Sequence, residues 1–121
     1  MQGYELTNSD YEDILTYYDI EKPNRLENTK ALAEQILATK LCKCIKKVGK
    51  QRKQENERRD IGICRKSVIS RKNLNIYKFK CKNKKVLLPS KSGNIIRKTS
   101  KKLKLNKKKE KIDSYYLLEV Y

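Results

Sequence analysis

Histidine and tryptophan are absent from this chain, methionine and phenylalanine occur once each, and proline twice. Without histidine, neither a Ser-His-Asp triad nor a Cys-His pair can be built from this chain alone, and no metal site can use imidazole. No apolar run approaches the ~20 residues that a membrane span requires. Met1–Asp10 is polar and acidic, unlike the basic and then apolar start of a secretory signal. Hydrophobic residues make up 37% of the chain, below the roughly 45–50% usual for globular domains, so part of it is expected to stay outside a core. A chain of 121 residues suits one domain rather than a large enzyme scaffold.

What is abundant is lysine. The chain holds 31 Lys+Arg against 14 Asp+Glu, for a formal charge of +17. The distribution is uneven: residues 1–38 carry a net −5, residues 39–109 a net +24, and residues 110–121 a net −2. An acidic head joined to a strongly basic body is the electrostatic footprint of nucleic-acid binding, because a density of like charge this high opposes its own compaction. Lysine outnumbers arginine 24 to 7. Lysine meets phosphate as a point charge, whereas bidentate reading of bases favours arginine, so the balance predicts largely sequence-nonspecific binding.

Hydrophobic spacing predicts two N-terminal helices. Over residues 7–20, Ser9 and Glu12 form a capping-box pair, and Tyr11, Ile14, Leu15 and Tyr18 share one face. Over residues 25–48, Asn24 is the candidate N-cap, Gly49 the candidate C-terminal stop, and Leu32, Ile36, Leu37, Leu41, Ile45 and Val48 the apolar stripe. Residues 51–60 contain no aliphatic side chain. Ile61–Cys64 alternates like a short strand, residues 67–72 suit one or two helical turns, and Tyr77, Phe79 and Cys81 alternate with lysines as a half-buried strand does. Packing in the core is the favoured role for Tyr77 and Phe79, with base stacking as the alternative. Val86–Leu88 closes the folded part.

The expected fold is therefore a small α+β domain, two N-terminal helices on a short cysteine-bearing β-unit. Its segments are an acidic helix (1–22), a folded basic core (23–88), a Lys-rich flexible tail (89–111) and an apolar C-terminal segment (112–121). The tail is expected to stay disordered because it offers few apolar anchors to offset ordering.

Cys42, Cys44, Cys64 and Cys81 are the candidate metal ligands. Four thiolates in a small, aliphatic-poor domain suggest a structural zinc, which would supply folding energy that the core lacks. Against this, the spacing is not that of paired C-x-x-C motifs. Residues two apart on a helix also point about 200° apart, so Cys42 and Cys44 cannot both face one ion on a regular helix. Buried free thiols are the second reading, in keeping with an intracellular chain, and disulfides the third. No catalytic cysteine is expected, since no histidine can serve as its base.

The blocks KLCKCIKKV (Lys40–Val48), IGICRKS (Ile61–Ser67) and KFKC (Lys78–Cys81) resemble small basic cysteine-containing proteins of nucleocytoplasmic large DNA viruses, over about residues 26–82. The resemblance implies a giant-virus origin and no particular activity. An AT-rich coding bias agrees with it: Lys, Asn and Ile supply 44 residues while alanine supplies three.

These readings converge on a non-enzymatic nucleic-acid-binding protein, with DNA ahead of RNA, acting in genome condensation or in a virion core. The expected setting is a host nucleus, a viral factory or the virion. Candidate phosphate contacts are Lys46, Lys47, Arg52, Lys53, Arg58, Arg59, Arg65, Lys66, Arg71 and Lys72, with Lys101, Lys102, Lys104, Lys107, Lys108 and Lys109 on the tail. The alternative is an adaptor that docks on a transcription, chromatin or capsid component, using Tyr115–Tyr121 as a viral or host protein contact. No membrane partner is expected.

Overall fold

The computed structural model describes residues 3–51, 57–91 and 93–105. Helix α1 (Asn8–Tyr17) begins one residue after Thr7, and the capping box is Thr7 with Asp10 rather than Ser9 with Glu12. Thr7 Oγ1 accepts from the Asp10 N–H at 3.1 Å and Asp10 Oδ2 accepts from the Thr7 N–H at 2.8 Å. The helix stops earlier than its apolar spacing suggests because Asp19 takes a left-handed φ of 57°. The Ile20 and Asp19 N–H groups then return to the Leu15 and Thr16 carbonyls, the Schellman arrangement that satisfies orphan acceptors.

Helix α2 (Leu26–Gln51) is the spine of the fold. It runs through Gly49 instead of ending there. Its buried face holds Ala33, Leu37, Ala38, Leu41 and Val48, while Leu32, expected in the stripe, is 37% exposed. The two small alanines widen the packed face, which joins Tyr11, Ile14 and Leu15 of α1 in one core cluster.

Ile61–Cys64 is not a strand. It lies in helix α3 (Glu57–Cys64), which continues into a π-type turn (Arg65–Ile69) and a 3-10 turn (Ser70–Lys72). The buried residues Asp60, Cys64, Ser67 and Val68 follow helical spacing. Two of the four are polar, which hides the stripe from an apolar pattern.

Four short strands complete the α+β fold: β1 (Leu74–Ile76), β2 (Lys78–Lys80), β3 (Val86–Leu88) and β4 (Ile96–Lys98). Strands β2 and β3 form an antiparallel hairpin with Phe79 opposite Leu87. Strands β1 and β4 pair antiparallel with Asn75 opposite Arg97.

The β1–β4 pairing corrects the expectation of a flexible tail from residue 89 onward. Ile96 is buried at 4% exposure, and Ile95 and Leu103 pack against the core. Tyr4 adds a bridge to Lys98 on the outer edge of β4 through two backbone hydrogen bonds. Gly3 is needed there, since at φ 120° a Cβ would sit 2.2 Å from the Lys98 carbonyl oxygen. Asn73, itself left-handed at φ 60°, donates through Nδ2 to Ser100 Oγ and the Lys102 carbonyl, both at 3.1 Å. Residues 93–105 are thus held by polar contacts to residues distant in sequence and by three aliphatic anchors, Ile95, Ile96 and Leu103. Residues 106–121, including the apolar C-terminal segment, lie outside the described residues.

Candidate nucleic-acid interface

The four cysteines form two disulfides, Cys42–Cys81 and Cys44–Cys64. This overturns both the zinc expectation and the free-thiol reading. Among the described residues no group of three or more metal-ligating side chains comes together. The reason lies in the helix. Cys42 and Cys44 point about 200° apart on α2, so each meets a different partner on a different flank. Cys42 reaches the end of β2, and Cys44 reaches the end of α3.

The disulfides position lysines as well as backbone. The Cys42–Cys81 bridge closes a separation of 39 residues and holds the Cα atoms 5.5 Å apart. It therefore seats the Lys-rich hairpin against the C-terminal half of α2. Gln35 Nε2, donating at 3.1 Å to the Lys85 carbonyl, ties the hairpin turn to the same helix. Exposed Lys43, Lys46, Lys47 and Lys50 on α2 and exposed Lys78, Lys80, Lys82, Lys84 and Lys85 on the hairpin come from two separate stretches of sequence.

The predicted contacts divide into four groups. Lys46, Lys47, Arg58, Arg59, Lys66, Lys101, Lys102 and Lys104 are exposed. Arg65 and Arg71 are half-buried; the Arg65 Nη2 donates to the Ile76 carbonyl at 3.0 Å, and its guanidinium lies 5.9 Å from the Phe79 ring centroid. Arg52, Lys53, Lys107, Lys108 and Lys109 lie outside the described residues.

Lys72 is a correction. It is 5% exposed, and its ammonium donates to the Val68 carbonyl at 2.9 Å and the Ser67 carbonyl at 3.5 Å. It also lies 5.3 Å from the Tyr17 ring and 5.9 Å from the Tyr18 ring. Carbonyls at the end of a helical turn and aromatic faces both attract a cation, so this lysine serves the fold.

The predicted contacts leave out Lys43, Lys50, Lys78, Lys80, Lys82, Lys84 and Lys85, which are exposed as well. The signal was present in the alternation after Tyr77, where lysine occupies the non-core side of the strand. Lys98 was also missed, for the opposite reason. Its Nζ is 2.6 Å from Asp10 Oδ2 and 3.1 Å from the Lys101 carbonyl, at 6% exposure.

Electrostatically the head differs from the body. Tyr11 is pushed up to about 12 by burial, with the charges of Glu34, Asp10 and Glu5 adding to the effect. Burial also raises Glu34, partly offset by Lys30. Ion pairs among the described residues include Lys22–Glu12 at 3.5 Å and Arg25–Glu27 at 3.8 Å, both within the N-terminal acidic segment. From Lys40 to Leu105, Asp60 is the one acidic residue whose side chain is described, and it is 2% exposed. The cations of the body therefore face no described surface carboxylate of their own segment. No helix among the described residues is long and apolar enough to cross a membrane. Comparison with known proteins finds no matching family model, and neither the curated proteins nor the solved structures include a significant match.

Proposed function

We propose that this protein binds nucleic acid without an enzymatic step and largely without regard to sequence, through phosphate contacts on the face formed by α2 and the β2–β3 hairpin. The observation that carries this reading is the charge imbalance at that surface: exposed lysines from two stretches of chain, and no described acidic side chain of the body exposed beside them. Clustered cationic side chains bind a polyanion by displacing its condensed counterions. DNA stands ahead of RNA as the ligand.

The two disulfides refine the setting. Disulfides persist in oxidising surroundings, which include the virion. A giant-virus protein packaged with its genome would keep both the lysine face and the bridges that support it.

The test is salt dependence, measured by fluorescence anisotropy on unrelated duplexes of equal length. A footprint of six to ten phosphates should lose roughly 10³–10⁵ in affinity between ~50 and ~200 mM salt. Different sequences should give the same affinity and the same slope. A shallow slope with strong preference for one sequence would overturn the reading. So would absence of binding at low salt, and recovery of a nuclease-resistant, stoichiometric protein partner would then support the adaptor alternative.

A further inference from the structure

We infer that Tyr77 is a stacking platform for an unpaired base, so that single-stranded nucleic acid is the preferred ligand of the basic face; this rests on the phosphate-binding reading above. The sequence offers Tyr77 and Phe79 as equivalent residues of one alternating strand. The fold separates them. Phe79 is half-buried against the core beneath the Arg65 guanidinium, whereas Tyr77 sits at the bend between β1 and β2 and is 41% exposed.

Two other large apolar residues are comparably exposed, Tyr4 and Leu32, and both belong to the acidic head. Of the three, Tyr77 is the one with a described cation against its ring. The Lys78 ammonium lies 5.3 Å from its ring centroid. Arg65 is anchored on the carbonyl of Ile76, the residue before it, and Lys66 is exposed beside Arg65. A nucleotide presents an aromatic face and a phosphate a short distance apart, and an exposed aromatic ring with the Lys78 ammonium beside it matches both. Pairing of β1 with β4 and of β2 with β3 fixes the backbone on either side of the ring. In a duplex the base faces are already stacked, so the ring can add affinity only for an unpaired strand.

Anisotropy with a labelled oligothymidylate of about 16 nucleotides and a duplex of equal length, both at low salt, tests this. The single strand should bind more tightly. Tyr77→Ala should weaken single-strand binding by about 5- to 150-fold, leave duplex binding unchanged and leave the thermal melt unaltered, while Tyr77→Phe should keep the preference. Tyr77→Trp introduces the sole indole in a chain without tryptophan, and its fluorescence should be quenched by the single strand but not by the duplex. Equal loss on both ligands, or no loss on either, would overturn the platform and leave phosphate binding standing. If the wild-type protein binds neither oligonucleotide, the underlying reading fails and the platform with it.

Discussion

Strands β2 and β4 are both three residues long and both carry lysine, yet the fold treats those lysines in opposite ways. In β4, Lys98 is enclosed, with a carboxylate and a carbonyl as partners for its ammonium. In β2, Lys78 and Lys80 are exposed on either side of a partly buried Phe79. Lys72 belongs with Lys98, and Lys82, Lys84 and Lys85 with the exposed set. Composition makes these residues one class. A buried ammonium needs oxygen partners to offset its desolvation, and the fold provides them at two positions. On β2 and in the turn that follows it the ammonium groups are exposed, where an external anion can meet them.

The largest effect should come from the supports of the exposed set. The bridges close separations of 39 and 20 residues, and loops of that size contribute ~3–4 kcal/mol each. Together they rival the whole stability of a small domain, at ~0.05–0.15 kcal/mol per residue. Cys42→Ser combined with Cys64→Ser should abolish the cooperative thermal transition followed by circular dichroism. Alkylation of the native protein should modify no thiol until a reductant is added. A reduced protein that melts as the oxidised one does would mean that the hairpin is held without its bridge.

The enclosed lysine comes next. Lys98→Met leaves the Asp10 carboxylate, whose side chain is 14% exposed, with the Thr7 N–H but without its cation, and should cost ~1–3 kcal/mol. Lys78→Met should change stability by less than ~0.5 kcal/mol. Similar costs for the two would erase the distinction between the strands. The pair also sets an acid response. Burial raises the Asp10 carboxyl, but hydrogen bonds from Lys98 and Thr7 outweigh it and hold the group below its ordinary 3.8. Its contribution is therefore present above that value and lost as pH falls through the lower, folded value. Asp10→Asn should remove that part of the acid transition in a pH series of melts.

How much of this was legible in the sequence depends on which force decides each element. Helices α1 and α2 were readable because several apolar residues repeat at helical spacing. Helix α3 was not, since Asp60 and Ser67 occupy buried positions of its face and Cys64 is fixed by a partner 20 residues away. Ordering of the tail turned on Asn73 and on a lysine whose partner is Asp10, contacts between distant residues that no local window contains. The zinc expectation failed although its decisive objection, the opposed directions of Cys42 and Cys44, could be drawn from helix geometry. Lysine-rich composition pointed to a polyanion, but could not sort enclosed lysines from exposed ones.

A smaller effect concerns the acidic head. Glu34 Oε2 is buried without a hydrogen-bond partner among the described residues, and burial raises its carboxyl while Lys30 pulls it back. A raised carboxyl disfavours the fold once pH exceeds its value. Glu34→Gln should therefore stabilise the protein near neutral pH by about 1 kcal/mol or less, with the gain fading in acid. A destabilised variant at neutral pH would show that the charge itself is needed there.

The smallest effect on stability should accompany a large one on binding, and that pairing tests the comparison most directly. Lys43, Lys46, Lys80 and Lys82 are exposed and lie on the two elements joined by the Cys42–Cys81 bridge. Changing all four to Ala should shift stability by no more than ~0.5 kcal/mol per site, because none has a buried partner to lose. If each meets one phosphate, the slope of log affinity against log salt should flatten by up to about 3.6, at ~0.9 per contact on duplex DNA. The loss should be the same for unrelated sequences, since phosphate contacts carry no base information. Lys98→Met, where the variant still folds, should leave that slope unaltered, because an ammonium already bound to Asp10 releases no counterion from the ligand. An unchanged slope in the fourfold variant would move the contact surface off the α2–hairpin face and return it to Arg58, Arg59 and Lys66.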